Sequence, residues 1–197
     1  VEGNTAHFKD GTSKEVDAII LCTGYKHHFP FMPNSLRLVC PNVLATPMLY
    51  KGVAFIDNPK VMYLGMQDQW NTFNMFDAQA WWARDVMMGR IDVPDRAAMQ
   101  ADIDARMAAE AELADDYACI DYQGAYTDEL MNLTDYPNFD ISKSNEAFYQ
   151  WKKHKKKNIM TFRDNGYKSP MTGTEAPAHH TVWKDCLDDS LEDYLKA

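Results

Sequence analysis

The sequence predicts a chain whose short strands come first and whose helices follow, either an α+β segment or the end of a larger α/β protein with its parallel sheet upstream. Three observations carry this. The apolar runs 16–21, 53–56 and 61–64 are short and all fall before residue 65. From Phe73 onward apolar residues recur every three or four positions, the period of an amphipathic helix. The nine glycines, at 3, 11, 24, 52, 65, 89, 124, 166 and 173, contain no pair two apart, so neither GxGxxG nor a P-loop can form and any nucleotide cofactor must be held mainly by residues outside this chain.

In chain order, Thr5 to Phe8, the Asp10-Gly11 turn signal and Val16 to Leu21 read as a β-hairpin whose second strand is apolar enough for a buried sheet. It leaves through Cys22-Thr23-Gly24-Tyr25, where Gly24 is the residue best suited to a backbone conformation closed to others. A tight turn with no further role is the competing reading of that exit. Residues 26–52 carry Pro30, Pro33, Pro41 and Pro47 and read as an ordered connection over a surface. Val53 to Ile56 and Val61 to Leu64 flank the turn Asp57-Asn58-Pro59-Lys60 as a second strand pair. Phe73, Phe76, Ala80, Ala83 and Met87 mark one face of a helix that Gly89 ends. Asp95 to Ala118, opened by Pro94, reads as one long surface helix with Met99, Ile103 and Met107 on a face. Tyr126, Leu130 and Leu133 mark a short helix, and Ala147, Phe148 and Trp151 another. Residues 165–180 read as loop, and Leu187, Leu191, Tyr194 and Leu195 as a closing helix.

With 197 residues, 46% of them hydrophobic, the chain can bury a core, and length predicts one domain or slightly more. A net charge of −9 argues against a nucleic-acid binder, which needs a basic face. The longest apolar run, Ala18 to Cys22, is far short of the ~20 residues of a membrane span. Cys22, Cys40, Cys119 and Cys186 form no CxxC, which points away from zinc and redox pairs and towards a reducing compartment. The pairs His27-His28 and His179-His180 lack a third ligand at metal spacing, so no metal site is expected. The start at Val1, without methionine or a leader, reads as a piece of something longer.

The stretch on which the rest is arranged is GMQDQWNTFNMFDAQAWWARDVMMG, from Gly65 to Gly89. It crowds Asp68, Trp70, Gln67, Gln69 and Asn71 between a strand and a helix N-terminus, the place where open α/β proteins hold ligands. An ordinary strand, turn and packing helix is the alternative. The run Lys152-Lys153-His154-Lys155-Lys156-Lys157 reads as a solvated face. Its alternative is attraction of a phosphate-bearing cofactor, with Arg163 just beyond it offering a planar fork that suits phosphate.

The segment from Val16 to Tyr25, VDAIILCTGY, resembles the strand and ATGY-type turn found late in flavin-containing monooxygenases, with Cys22 where that motif usually has alanine. Gly65 to Asp85 is similar to a late flavin-domain segment of the same family. Together with LCTGYKHHFPF, WKKHKKKNIMTFRD and MTGTEAPAHHT, the wording most closely resembles the family's bacterial trimethylamine-oxidising branch. The resemblance covers essentially the whole chain.

It implies a two-domain, Rossmann-like α/β flavoprotein that binds FAD and NADPH, with 1–30 as the end of the NADPH-binding domain and the crossover. Residues 31–197 would be the C-terminal part of the FAD-binding domain, and the fingerprints would lie in the N-terminal part of the same enzyme. The implied chemistry is reduction of FAD by NADPH, uptake of O2 as a C4a-hydroperoxide, and attack on its distal oxygen by the lone pair of a small methylated amine, giving an N-oxide. Asp68 and Trp70 are then expected at the substrate pocket, Trp70 as an aromatic wall and Asp68 favouring the ammonium form before its proton is lost. Gln69 and Thr72 are expected against the polar edge of FAD, and Arg163 against NADPH. A capping acid and a core tryptophan are the alternatives for Asp68 and Trp70. The resemblance further implies a cytoplasmic homodimer. Two other functions stay open: a non-catalytic fragment or partner completing a cofactor site on another polypeptide, and an S-oxygenase or indole oxygenase of the same family.

Overall fold

The computed structural model describes residues 1–24, 27–170 and 172–175, and shows short strands followed by four α-helices. His179-His180, Cys186 and the closing helix expected at 187–195 lie outside the described residues.

Strands β1 (Thr5–His7) and β2 (Ser13–Glu15) form an antiparallel hairpin in the register Thr5↔Glu15 and His7↔Ser13. Asp10 shapes its turn by accepting from Thr12 N at 3.0 Å. The second strand is therefore polar and lies ahead of the apolar run expected to form it. Ile19, Ile20 and Leu21 are 52%, 86% and 79% exposed, because a run of this kind is buried only by neighbouring strands and none of those described pairs with it. Gly24 does adopt a left-handed φ of +78°.

Strands β3 (Leu49–Tyr50) and β4 (Ala54–Phe55) pair antiparallel, and Ala54 also bridges to Met62. The main chain of Tyr63 donates to Val53 O at 2.9 Å and that of Phe55 to Val61 O at 2.9 Å. The expected pair 53–56 and 61–64 is thus the outer part of a small meander that β3 extends. Its turn at Lys51-Gly52 holds Lys51 at φ +52° and Gly52 at φ +66°.

Helix α1 (Thr72–Met87) occupies the expected stretch but buries a different face. Met75, Ala78, Gln79, Trp82 and Ala83 point inward, whereas Phe73 and Met87 are 80% and 73% exposed. Only Ala83 of the expected stripe is buried, because a glutamine holds one of the core positions. Gly89, at φ +68°, follows the helix and donates to Val86 O at 3.0 Å.

The single helix expected over 95–118 is two. Helix α2 (Arg96–Ala111) and helix α3 (Asp116–Asn132) are each opened by an aspartate, Asp95 accepting from Ala98 N at 2.9 Å and Asp115 from Ala118 N at 2.9 Å. Such caps contribute about 1 kcal/mol each, and Asp115 marks the break. Met99 and Ile103 are buried as expected, while Met107 is exposed. Helix α4 (Ile141–Lys157) is capped by Asp140 and ends in Lys155, Lys156 and Lys157, cations placed where the helix dipole favours them.

The core lies where α1 and α3 cross the meander, around Val53, Ala54, Met75, Trp82, Tyr126 and Leu130. Helix α4 packs closely on α3 because Gly124 has no side chain: a Cβ there would lie 2.5 Å from Asn145 Oδ1. No helix among the described residues is long and apolar enough to cross a membrane.

Candidate functional site

The loop from Gly65 to Asn71 is held from below by a buried network of amides. Gly65, at φ +71°, turns the chain over the ring of Phe76 and donates its N–H to Gln79 Oε1 at 2.8 Å. Gln79 Nε2 in turn donates to Gln67 Oε1 and to the Tyr126 hydroxyl, both at 2.9 Å. Gln67 Nε2 reaches the same hydroxyl at 3.1 Å, and that hydroxyl donates to Lys51 O at 2.8 Å. Burial pushes the Tyr126 phenol well above its ordinary range, so it stays a neutral donor.

Lys51 is fixed by a half-buried ion cluster. Its ammonium meets Asp102 Oδ1 at 2.9 Å and also Glu129, while Arg106 holds Asp102 at 2.8 Å and Glu129 at 2.7 Å. Asp102 also accepts from Lys51 N at 3.3 Å, which keeps that residue in its left-handed conformation. Burial raises the Asp102 and Glu129 carboxyls, but hydrogen bonds from Arg106 and Lys51 outweigh it and hold both below their ordinary values.

Above this base the backbone of Asp68-Gln69-Trp70-Asn71 is gripped by α3 through Gln123, whose Oε1 accepts from Trp70 N and, at 2.9 Å, from Asn71 N. Its Nε2 donates to Asp68 O. On the other side Ser144 of α4 donates to Asn71 Oδ1 at 2.8 Å. Asn71 is 3% exposed, and its Nδ2 has no partner among the described residues.

Trp70 stands edge-on to Trp151 at 6.4 Å, and Trp151 edge-on to Phe162 at 5.2 Å. The two tryptophan rings border a cavity of about 470 Å3 between the start of α1, α4 and residues 167–170, to which Asn71, Thr72, Phe73 and Tyr167 also contribute. Lys152 lies over the Trp70 ring at 5.6 Å and pairs with Asp116.

Of the residues expected at a site, Trp70 and Thr72 line this cavity together. Asp68 and Gln69 belong to the same loop but are exposed outside that lining. Asp68 Oδ1 accepts from Asn42 Nδ2 at 3.1 Å and from Gln69 N at 3.0 Å, and Gln69 Nε2 donates to Gly65 O at 3.2 Å. Arg163 is exposed on the short 3₁₀ turn Phe162–Asp164, its guanidinium over the Phe162 ring at 4.3 Å, and is not brought to the loop. Lys153, Lys155, Lys156 and Lys157 are exposed. Gln79 and Gln123 carry no motif that marks them in the sequence, since a buried amide reads like a surface one; Gln67 is legible there only as part of the loop and Tyr126 only as a helix marker. Trp151 is legible there only as a helix marker.

The arrangement provides an apolar, aromatic recess beside a helix N-terminus whose approach is set by a rigid backbone. The polar groups of exposed Gln69 and half-buried Thr72, a carboxamide and a hydroxyl, have the donors and acceptors that a flavin's polar edge requires, and the exposed Arg163 fork suits a phosphate.

A family model described as flavin-binding monooxygenase-like matches residues 1–148. The chain is 66% identical over 196 residues to a trimethylamine monooxygenase of Roseovarius sp. (strain 217), covering 100% of this chain and 44% of that protein. It is 51% identical over 195 residues to one of Pelagibacter ubique (strain HTCC1002), covering 99% of this chain and 44% of that protein. The crystal structure of Tmm from Pelagibacter sp. strain HTCC7211 superposes with a TM-score of 0.87 at 48% identity, over 98% of this chain and 44% of that one. An S-allyl-L-cysteine S-oxygenase from Allium sativum shares the fold, with a TM-score of 0.65 at 24% identity over 98% of this chain and 42% of that one. The chain thus spans less than half the length of these curated relatives. On the family match and these identities, the chain belongs to the flavin-binding monooxygenase-like family.

Proposed function

We propose that this chain supplies one wall of the substrate pocket in an NADPH- and O2-dependent flavin monooxygenase that converts trimethylamine to its N-oxide. The observation that carries the reading is the aromatic recess beside the Asp68–Thr72 loop, in a chain 66% identical to a trimethylamine monooxygenase. In this reading the remainder of the enzyme binds most of FAD and NADPH in Rossmann-like domains. Residues 1–30 close the NADPH-binding domain and 31–197 complete the FAD-binding domain. What supports that division is that residues 1–24 contain no buried side chain, while the packed clusters begin around Phe29. A cytoplasmic homodimer completes the proposal.

Bound flavin supplies oxygen activation and NADPH the reducing equivalents. The residues of this chain orient and shield. Trp70 and Trp151 present apolar surface that fits a small methylated amine and excludes water. The Lys152 ammonium over the Trp70 ring offsets cation-π attraction for a second cation, which favours the neutral amine whose lone pair reacts. Asp68, exposed beside the recess, attracts the amine in its ammonium form before the proton is lost to solvent. Gln69 and Thr72 meet the flavin's polar edge, and Arg163 meets a phosphate of NADPH.

The test is turnover by the complete enzyme given NADPH, O2 and trimethylamine, compared with a sulfide and with indole. N-oxide formed in step with NADPH consumption is expected, and Trp70→Ala should cut amine turnover by about tenfold or more while flavin is retained. Preference for the sulfide or indole would reassign the substrate. Equal loss of flavin and turnover in Trp70→Ala would remove Trp70 from the pocket wall.

A further inference from the structure

We infer that Gln123 is a positioning residue of this site, acting from the middle of α3 on the backbone that carries Asp68 and Trp70. The inference rests on the reading of that loop as part of the substrate pocket.

Gln123 is 1% exposed, so its carboxamide hydrogen-bonds with protein alone. Its Oε1 receives two consecutive N–H groups, those of Trp70 and Asn71, and its Nε2 gives to the carbonyl of Asp68. The orientation of the amide is fixed by these partners, because the reverse would set its N–H groups against two other donors. A carboxamide presents a two-lone-pair acceptor and a donor side by side without charge, and this stretch of backbone requires both.

The grip falls where the loop is least able to hold itself. Trp70 and Asn71 come immediately before the first residue of α1, so their N–H groups lie outside the helical ladder. Met75 N returns to Asn71 O at 2.8 Å, so the conformation that Gln123 sets at Asn71 is passed directly into the first turn of α1. Thr127, fully buried one turn further along α3, donates to Gln123 O at 2.9 Å and adds to the order of the helix at that point. The direction of the Trp70 side chain, and with it the spacing from Trp151, therefore depends on a residue 53 positions away that bonds to the Trp70 backbone.

The experiment uses the complete flavin-loaded enzyme with Gln123→Met, which keeps length and loses both hydrogen-bonding groups, beside Ile103→Ala, which opens a cavity in another cluster and removes none of the hydrogen bonds to Asp68, Trp70 or Asn71. Melting temperature and flavin content show that both variants fold. Hydrogen exchange at the Trp70 and Asn71 amides is expected to quicken about tenfold or more in Gln123→Met and to stay unchanged in Ile103→Ala. The KM for trimethylamine is expected to rise about tenfold in Gln123→Met with a smaller change in kcat, and not in Ile103→Ala. Unchanged amide exchange overturns the inference, as does faster exchange with an unmoved KM, or a KM shift shared by Ile103→Ala. If the unsubstituted enzyme leaves trimethylamine untouched, the functional reading fails, while the exchange measurement still decides whether Gln123 holds the loop.

Discussion

The Tyr126 hydroxyl donates to the carbonyl oxygen of Lys51 at 2.8 Å across 75 residues of chain, while Gln67 and Gln79 both donate to it. One oxygen thus joins the meander turn, the loop and two helices. Tyr126→Phe would leave a carbonyl and two amide groups short of partners in a dry interior. The expected destabilisation is about 2 kcal/mol, since unsatisfied buried groups cost about 1–3 kcal/mol. Urea unfolding of the complete protein measures it, and a loss below about 0.5 kcal/mol would show that the network contributes little.

Two glycines separate crowding from backbone strain. Gly52 and Gly89 have similar φ, +66° and +68°, but a Cβ on Gly52 would lie 2.0 Å from Gln67 Nε2 and 2.7 Å from Tyr126 Oη, while one on Gly89 would meet nothing within 4 Å. Gly89→Ala should therefore cost the conformational strain alone, about 1–2 kcal/mol. Gly52→Ala should cost more by about another 1–3 kcal/mol of overpacking. Equal changes in thermal stability would contradict this account of the turn.

Acid should loosen the molecule through the ion cluster. In the folded state Asp102 and Glu129 both titrate below their ordinary values of 3.8 and 4.5, held down by Arg106 and Lys51 against the upward push of burial. A depressed carboxyl contributes stability that is present above its ordinary value and is lost as pH falls through the folded one. Unfolding free energy should therefore decline from about pH 4.5 downward. Asp102→Asn should be less stable at neutral pH and show a shallower acid limb. An acid limb of unchanged slope in that variant would remove the pair from the explanation.

Arg163→Ala should raise the NADPH concentration needed for half-maximal rate by about tenfold, as expected for loss of a charge-assisted contact to phosphate, and leave FAD content unaltered. Steady-state kinetics with varied NADPH checks this. An unmoved NADPH dependence would take Arg163 out of the proposed cofactor contact.

Helix α1 was legible in the sequence as a helix but not in its rotation. Phe73, Phe76, Ala80, Ala83 and Met87 define the stripe by spacing, yet of these Ala83 alone is buried and Gln79 faces inward because Gly65, Gln67 and Tyr126 satisfy its amide, a position that apolar periodicity has no means of counting. The run Ile19-Ile20-Leu21 has a core strand's composition and an exposed surface, since burial of a strand is a property of its neighbours. The break between α2 and α3 did carry a signal in Asp115, an aspartate at the right place to cap. For the site, the Trp70 loop stands out by its density of polar and aromatic side chains. The groups that hold it, Gln123 and the cluster of Lys51 with Glu129, come from contacts 53 and 78 residues apart that no local pattern encodes.

Because Gln123 binds only main-chain atoms of Asp68, Trp70 and Asn71, its hold on this segment does not depend on which side chains stand at 68 and 70. A substitution at 70 can therefore reshape the lining, and one at 68 the surface beside it, without releasing this grip, a division of labour in which one helix fixes the route and the segment is left free to suit differently shaped small molecules.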